Sequence, residues 1–332
     1  MTAKPVLVAG AGSWGTALAI KLARNDHKVY LWDIVTEHIQ QLSRQRVNRQ
    51  YLPDIKLPEA LIPVVDINDY LDKIDHIVIA VPCSGLRSVL EILQKQDKNN
   101  VNICLACKGF EEKTLSLNHQ TVIEYLGSNA RVAVLSGPSF ALEVARDLPT
   151  AVTIASDNRT LAGKFADMFH SDVFRIYTNE DIVGVQVGGA VKNVMAIAAG
   201  IADGLGFGAN TRAALITRGL AEIIRFGIAM GGRPETFMGL AGLGDLVLTC
   251  TDDQSRNRRL GMALSKGVSI EQAQQDIGQA IEGIKTVSAV MAIAVQKSVE
   301  MPISEQVNEV LLAQTTPLAA VQTLLSREQK EE

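Results

Sequence analysis

The chain has 332 residues, of which 47% are apolar and 20% charged, and a formal net charge of -4. This composition is that of ordinary globular proteins and excludes a disordered or collagen-like chain. The small negative charge excludes a polycationic surface for nucleic acid or an anionic membrane. Four cysteines are too few for a disulfide framework, and the first residues show no signal-peptide pattern. We therefore expect a reduced, cytoplasmic protein of two domains.

The first half of the chain alternates short apolar runs with helical segments. The runs are rich in β-branched residues and occupy positions 6–9, 29–32, 76–80, 101–105, 132–135, 151–154 and 173–177. Continuous apolar runs of this length are typical of strands buried on both faces of a parallel sheet. Helical patterns at 16–25 and 86–96 lie between them. The alternation predicts an α/β N-terminal domain with a Rossmann-type doubly wound sheet.

The second half of the chain is predicted to be all-α. Helical patterns cover residues 182–202, 213–230, 270–277, 286–296 and 306–312, and few β-rich runs remain. We place the domains at 1–180 and 181–332. The segment 182–202 is also long enough to cross a membrane, but Lys192 lies at its centre and no cluster of Lys or Arg flanks it. A helix buried inside the domain is the favoured interpretation, with no membrane span.

A glycine-rich turn near the N-terminus predicts a dinucleotide site. Gly10, Gly12 and Gly15 form a complete G-x-G-x-x-G between the first strand and the first helix. The first glycine allows the tight turn, the second lets a pyrophosphate approach the backbone, and the third allows the helix to pack closely on the strand. Asp33 ends the second strand about 20 residues later, where the fingerprint places an acid for the adenosine ribose.

The cofactor predicted from these residues is NAD or NADP. The carboxylate of Asp33 would repel a 2′-phosphate and favours NAD, although an aspartate here is also a common cap for a helix near Thr36. A phosphate clamp for NADP has candidates a few residues further on, at Arg44, Arg46 and Arg49. Both cofactors stay open on these observations.

The histidines and cysteines argue against two common kinds of site. All five histidines lie in the first 170 residues, so the helical half lacks one for a His–Asp proton relay. Cys104 and Cys107 form a lone C-x-x-C with no second ligand pair at zinc-binding spacing. We predict no metal site and interpret the two cysteines as small buried side chains.

Lys192 is the only ionisable residue between positions 182 and 202. A lysine on such a helix either extends its ammonium to the surface or lies in a partly dry cleft, where it can act as a general acid or base. Other polar groups follow predicted strands or lie in glycine-rich segments, namely Lys108, Ser136–Ser139 and Asp245. The basic run Ser255–Arg259 is either a solvated face or a clamp for a phosphorylated substrate, since a pI near 5.8 argues against nucleic acid.

These motifs, in this order, resemble the bacterial NAD(P)-dependent sn-glycerol-3-phosphate dehydrogenases from end to end. The matching segments are 10–15, 107–109, 136–141, 187–194, 204–210, 239–246, 249–251, 255–259 and 282–283. The resemblance implies a Rossmann domain, a helical substrate domain and reversible reduction of dihydroxyacetone phosphate to sn-glycerol 3-phosphate, a precursor of glycerophospholipids. It also implies that the protein forms a homodimer and binds a small phosphorylated substrate.

The resemblance also implies a role for each matching residue. Lys192 is the implied proton acceptor and donor, with Lys108, Asp245, Asn193 and Thr249 as catalytic helpers. The implied substrate contacts are Lys108, Gly137, Ser139, Lys192, Asp245, Ser255, Arg256 and Asn257. The implied cofactor contacts beyond the glycines are Ser13, Trp14, Lys108, Ala141, Arg256 and Glu282. One departure matters, because relatives that use NADPH often carry His or Arg after the second strand, whereas Asp33 and Ile34 stand here.

The sequence leaves two alternative functions open. One is another two-domain dehydrogenase, of the 3-hydroxyacyl or β-hydroxyacid type, although nothing in the sequence suggests a site for a long acyl carrier. The other is a dinucleotide sensor without turnover, which the combination of Lys108, Lys192 and Asp245 with a candidate phosphate clamp disfavours.

Overall fold

The structure is a computed structural model that describes residues 5–327. The chain forms two compact units. The first contains the described residues up to Glu111 together with Ser116–Ile182. The second contains Glu112–Leu115 and the described residues from Val183 onward.

An eight-stranded sheet forms the centre of the first unit. The described strands of this unit, of which all but β3 and β4 belong to the sheet, are β1 (Val6–Ala9), β2 (Val29–Trp32), β3 (Val47–Asn48), β4 (Leu52–Lys56), β5 (Leu61–Pro63), β6 (His76–Ile79), β7 (Asn102–Leu105), β8 (Arg131–Ser136), β9 (Thr150–Ala155) and β10 (Phe174–Asn179). The sheet order is β10-β9-β8-β7-β6-β1-β2-β5, and every pair is parallel except β8 with β9. Strands β3 and β4 pair separately as an antiparallel hairpin. All seven predicted strands are confirmed.

Six α-helices lie in the described part of the first unit. They are α1 (Ser13–Arg24), α2 (Thr36–Gln45), α3 (Leu86–Lys95), α4 (Asn118–Leu126), α5 (Ala141–Ala145) and α6 (Arg159–Phe169). The strands β1 and β7 are buried along their length, as expected of strands covered on both faces of the sheet. The Rossmann-type doubly wound sheet is therefore confirmed, with one antiparallel pair near its edge.

The regular structure in the described part of the second unit is helical. The helices are α7 (Ile182–Gly204), α8 (Ala209–Ala229), α9 (Pro234–Phe237), α10 (Asp245–Thr251), α11 (Arg256–Ser265), α12 (Ile270–Ile277), α13 (Glu282–Lys297), α14 (Pro302–Leu311) and α15 (Pro317–Leu325), with a π-helical turn over Leu240–Gly244. The all-α prediction is confirmed. The five predicted helices correspond to α7, α8, α12, α13 and α14, whereas α9, α10, α11 and α15 were not predicted.

Helix α7 is long and apolar enough to cross a membrane, but 94% of its most apolar window is buried inside the protein. Its glycines allow neighbouring backbone to approach closely. A Cβ at Gly200 would lie 2.0 Å from the carbonyl oxygen of Arg258, and a Cβ at Gly261 would lie 2.1 Å from that of Ile197. Helices α7 and α11 therefore pack backbone against backbone, as the predicted buried helix requires.

The carboxylate of Glu222 on α8 caps the N-terminus of α14. The side chain is 2% exposed and accepts hydrogen bonds from the N–H groups of Ile303 (2.6 Å) and Ser304 (3.2 Å) and from the Ser304 hydroxyl (3.1 Å). The first backbone N–H groups of a helix have no acceptor within the helix, and Glu222 supplies one for two of them. Burial raises the pKa of Glu222 to about 7, because the desolvation of the carboxylate outweighs these hydrogen bonds.

We expect the free energy of unfolding to fall as the pH rises from about 5 to about 8. The folded state, in which the pKa of Glu222 is raised, binds this proton more tightly than the unfolded chain, so ionisation opposes folding. In the wild type the free energy of unfolding should decrease by on the order of 1–3 kcal/mol over this pH range, and the substitution Glu222→Gln should remove that decrease. Urea unfolding at about pH 5 and about pH 8 measures it. Glu305→Gln, an exposed residue on α14, is the control. An unchanged decrease in Glu222→Gln contradicts this interpretation.

Candidate active site

The glycine-rich turn between β1 and α1 has the geometry that its sequence predicts. Gly10 has a φ of 110°, and a Cβ there would lie 2.8 Å from the Ala80 backbone. A Cβ at Gly15 would lie 1.9 Å from the carbonyl oxygen of Gly10, so only glycine allows α1 to start this close to β1. A Cβ at Gly12 would meet nothing within 4 Å, which leaves open space beside the N-terminus of α1.

The residues around this turn fit a dinucleotide. The open side of Gly12 leaves room for a pyrophosphate, next to the helix N-terminus at Ser13 whose N–H groups and dipole favour an anion. The indole Nε1 of Trp14 is buried and has no hydrogen-bond partner among the described residues. A donor left unpaired in this way is costly unless a ligand or water accepts from it.

Asp33 lies beside the turn, at the carboxyl end of β2. Its Oδ2 accepts a 2.7 Å hydrogen bond from the Ala11 N–H, and its Oδ1 accepts one of 3.1 Å from the Val35 N–H. The carboxylate thus takes part in the local turn before α2 and also contacts the glycine-rich turn. Ile34, the next residue, is 69% exposed.

Arg46, one of the three arginines suggested as a clamp for a 2′-phosphate, directly follows α2. Its guanidinium donates to the carbonyl oxygens of Pro58 (2.6 Å) and Leu61 (2.9 Å). These contacts fix the segment that leads from α2 into β5. The Nη2 group of Arg46 is therefore occupied by backbone carbonyls, and the arginine clamp stays a prediction.

A second group of predicted residues lies after β7 and β8 in the same unit. The Lys108 Nζ donates to the carbonyl oxygen of Gly137 (3.2 Å), and the Ser139 hydroxyl donates to the same oxygen (3.0 Å). Gly137 has a φ of 139° and packs closely on Val152. Ala141 begins α5 directly afterwards. The structure therefore brings Lys108, Gly137 and Ser139 together at the carboxyl end of the sheet, where open α/β sheets bind ligands.

The ammonium group of Lys192 is buried in the second unit. Lys192 is 7% exposed and Asp245 is 1% exposed. The Lys192 Nζ donates to Asp245 Oδ1 (2.8 Å) and to the Thr249 hydroxyl oxygen (2.7 Å). The Thr249 hydroxyl in turn donates to the backbone carbonyl of Asp245 (2.6 Å). Of the two interpretations left open for this lysine, the buried one is therefore confirmed, because its ammonium is held by a carboxylate and a hydroxyl.

Glycines explain how Asp245 comes within reach of α7. A Cβ at Gly188, one helical turn before Lys192, would lie 2.6 Å from the carbonyl oxygen of Ala241. A Cβ at Gly242 would lie 2.1 Å from the carbonyl oxygen of Phe237. The π-helical turn can therefore press against α7, and Asp245 follows it as the first residue of α10.

Asn193 and Asn257 connect α7, α11 and α13. The Asn257 Nδ2 donates to Asn193 Oδ1 (3.0 Å), and Asn257 Oδ1 accepts from the Gly283 N–H (3.0 Å). A Cβ at Gly283 would lie 2.5 Å from Asn257 Oδ1, so this contact requires glycine. These hydrogen bonds join the three helices at Asn193, the residue that directly follows Lys192.

The N-terminus of α11 presents predicted substrate-binding residues. Ser255 is its cap and accepts a hydrogen bond from the Arg258 N–H (3.2 Å), and Arg256 and Asn257 follow as the first helical residues. The Arg256 guanidinium donates to the Ala280 carbonyl (2.8 Å). Desolvation lowers the pKa of Arg256, partly opposed by the carboxylate of Glu282. A partly desolvated guanidinium at a helix N-terminus is a strong binding group for a phosphate.

The basic run does not act as one clamp. Arg258 is 7% exposed, donates to Asp203 Oδ2 through Nε (2.9 Å) and Nη2 (2.6 Å), and also pairs with Asp253. Arg212 binds the other oxygen of Asp203. Arg258 therefore stabilises the packing of α11 on α7. No local sequence pattern indicates this role, because Asp203 lies 55 residues away.

Two further residues contact the glycine-rich turn without any signal in the sequence, namely His38 on α2 and Asn48 on β3. The two cysteines of the C-x-x-C are both buried, and burial raises the pKa of the Cys104 thiol. Within residues 5–327, no group of three metal-ligating side chains is found.

Two family models match this chain, described as the N-terminus and the C-terminus of NAD-dependent glycerol-3-phosphate dehydrogenase. They match residues 5–162 and 181–322. The chain belongs to the NAD-dependent glycerol-3-phosphate dehydrogenase family. The resemblance inferred from the sequence motifs is confirmed.

Known members of the glycerol-3-phosphate dehydrogenase family resemble the chain along nearly its whole length. A glycerol-3-phosphate dehydrogenase (NAD(P)+) from Nitrosococcus oceani is 53% identical over 98% of this chain and 95% of its own. The crystal structure of glycerol-3-phosphate dehydrogenase from Coxiella burnetii is 46% identical, with a TM-score of 0.95 over 98% of this chain and 100% of its own. D-mandelate dehydrogenase, at 14% identity and a TM-score of 0.64, shares the fold alone.

Proposed function

We propose that the protein catalyses the reversible reduction of dihydroxyacetone phosphate to sn-glycerol 3-phosphate, with NAD(P)H as the reductant. The observation that carries this proposal is the buried Lys192 ammonium, held by Asp245 and Thr249 within the unit that matches the family's C-terminal model. Membership of the family supports the substrate and the cofactor.

In this mechanism Lys192 acts on the ketone oxygen of the substrate. A dinucleotide bound at the glycine-rich turn would supply a hydride to the ketone carbon, and negative charge would then develop on the oxygen. A cationic Lys192 stabilises that charge and donates its proton, which is effective where water is excluded. Asp245 stabilises the ammonium form and, together with Thr249, fixes its position. In the reverse direction the neutral amine accepts the proton of the alcohol.

The phosphate of the substrate is assigned to the N-terminus of α11. Arg256 supplies a bidentate guanidinium, and the helix dipole and the residues Ser255 and Asn257 add polar contacts. Asn193 keeps Asn257 in place. We assign Lys108, Gly137 and Ser139 to the substrate as well, since the structure groups them at the carboxyl end of the sheet.

The dinucleotide is assigned to the glycine-rich turn. Gly10, Gly12 and Gly15 shape the turn, and the N-terminus of α1 with Ser13 would hold the pyrophosphate. The unpaired indole N–H of Trp14 supports a contact there. Following the family resemblance, we also assign Lys108, Ala141, Arg256 and Glu282 to the cofactor.

Steady-state oxidation of NADH or NADPH tests this function. Dihydroxyacetone phosphate is expected to support turnover, whereas a 3-ketoacyl thioester or a small β-keto acid is not. Turnover with only one of these two alternative substrates would favour a dehydrogenase of the 3-hydroxyacyl or β-hydroxyacid type. Cofactor binding without turnover on any of them would favour a dinucleotide sensor.

We further propose a preference for NADH over NADPH. Asp33 follows β2, where the fingerprint places the adenosine ribose, so its carboxylate would repel a 2′-phosphate there, and Ile34 offers no positive charge. Wild-type protein is expected to bind NADPH at least tenfold more weakly than NADH, by fluorescence titration. Asp33→Asn keeps an acceptor for the Ala11 N–H and should reduce this ratio about tenfold, mainly by tightening NADPH, since one like-charge contact of this kind contributes about 1–2 kcal/mol.

Asp66→Asn is the matched control for this experiment. Asp66 is exposed and its Oδ1 accepts from the Asn68 N–H in a turn of the same kind. Its substitution should leave both dissociation constants unchanged. Tighter binding of NADPH than NADH by the wild type contradicts the proposed preference.

The remaining assignments follow from the family and from the cysteines. We propose a homodimer that works in the cytoplasm and supplies sn-glycerol 3-phosphate for glycerophospholipid synthesis. Four free, buried thiols support a reducing compartment. We also propose residues 1–180 as the dinucleotide domain and 181–332 as the substrate domain.

A further inference from the structure

The backbone of Ala11, in the middle of the glycine-rich turn, is held at both its N–H and its carbonyl group. Its N–H donates to Asp33, as described above. Its carbonyl oxygen accepts hydrogen bonds from Asn48 Nδ2 (2.9 Å), His38 Nε2 (3.1 Å) and the Thr16 hydroxyl (3.2 Å). Ala11 is fully buried. Two of the donors come from α2 and the β3–β4 hairpin, which lie outside the glycine fingerprint.

Among these donors Asn48 has the most constrained position. It is fully buried in β3, and its Nδ2 also donates to the Thr16 hydroxyl (2.8 Å). Its Oδ1 accepts from the Tyr51 N–H (3.3 Å), which fixes the amide so that Nδ2 faces Ala11. The hairpin therefore presents one donor to the turn in one orientation.

The orientation of the Ala11 carbonyl determines that of the next N–H group. In a trans peptide the C=O of one residue and the N–H of the next point in opposite directions, and the described chain contains no cis peptide bond. Because Asn48 and His38 hold the Ala11 carbonyl, the Gly12 N–H must point away from the hairpin. The space beside Gly12 is open, so this N–H is available to an anion there.

We propose that Asn48 is a positioning residue for cofactor binding, which orients the Gly12 amide toward the pyrophosphate of the dinucleotide. The inference rests on the proposed function, since it takes the turn to be the cofactor site. Preorganised donors improve affinity because binding then costs less ordering. Asn48 acts through the Ala11 peptide and has no assigned part in the chemical step.

Asn48→Leu, which keeps the size of the side chain and removes its donor, tests this proposal. The Kd for NADH, from fluorescence titration, should rise at least tenfold, while kcat at saturating NADH stays within threefold of wild type. Amide hydrogen exchange at Gly12 should be faster in the variant without cofactor. Asn48→Asp, which is isosteric and keeps the acceptor for Tyr51, should give the same loss of affinity and serves if the leucine variant folds poorly.

Asn102→Leu is the matched control. Asn102 is also a buried asparagine of the first unit, but its Nδ2 contacts His76 at the opposite end of the sheet. Its substitution should lower stability and leave the Kd for NADH unchanged. Unchanged NADH affinity in folded Asn48 variants, or an equal loss in Asn102→Leu, overturns the proposal. Failure of the wild type to bind NADH would instead overturn the proposed function itself.

Discussion

Substituting Lys192→Ala is expected to lower kcat for dihydroxyacetone phosphate reduction about a thousandfold or more and to leave the Kd for NADH nearly unchanged. The substitution removes the general acid and the charge that stabilises the developing oxyanion, and each effect contributes about 10²-fold or more. Stopped-flow measurement of NADH oxidation and fluorescence titration separate the two readouts. More than a tenth of the wild-type kcat in the variant contradicts the assignment.

The loss of Lys192 also leaves Asp245 as a buried carboxylate without its lysine. Breaking a buried ion pair in this way costs about 3–5 kcal/mol, so stability has to be controlled. The double variant Lys192→Met with Asp245→Asn removes the unpaired charge and should be equally inactive. Lys21→Met provides the matched control, since Lys21 is buried and pairs with Asp147 at 3.2 Å in the first unit. It should lose stability and retain kcat.

Substituting Arg256→Ala is expected to raise the KM for dihydroxyacetone phosphate about a hundredfold or more. A charge-assisted, partly desolvated contact with phosphate is worth about 3 kcal/mol or more when one partner is removed. The value of kcat/KM for unphosphorylated dihydroxyacetone should change little, because that substrate lacks the group that Arg256 binds. Both constants come from the same NADH oxidation assay.

The neighbouring residue Arg259 supplies the control for Arg256. It lies on the same helix, is exposed, and carries the same charge. Arg259→Ala should leave the KM for dihydroxyacetone phosphate within about twofold of wild type. An equal loss of activity with phosphorylated and unphosphorylated substrate in Arg256→Ala would remove Arg256 from the phosphate site.

Local sequence patterns predicted the first unit well. The strands of the sheet contain mostly apolar runs, and Gly10 and Gly15 are required by close contacts with nearby backbone, such as that of Gly15 with Gly10. The hairpin β3–β4 was not predicted, because it includes a two-residue strand with no periodic signal. Asn48 therefore had no pattern that would connect it to Ala11, which lies 37 residues earlier.

The site in the second unit depends on packing that no local pattern encodes. The unusual character of Lys192 was visible from its isolated charge, but its pairing with Asp245 results from the approach of the π-helical turn to Gly188. Similarly, the run at 255–259 showed three arginines without distinguishing them. Only the position of Asp203 shows that Arg258 serves packing, whereas Arg256 begins α11 and donates to the Ala280 carbonyl.

The role of Lys192 is tested most directly by chemical rescue of Lys192→Ala. With saturating NADH and dihydroxyacetone phosphate, addition of a small primary amine is expected to increase the rate of NADH oxidation in proportion to the amine concentration. The wild type and Lys21→Met should show no such increase. If the variant binds both ligands with wild-type affinity and the amine leaves its rate unchanged, Lys192 is not the proton donor of this reaction.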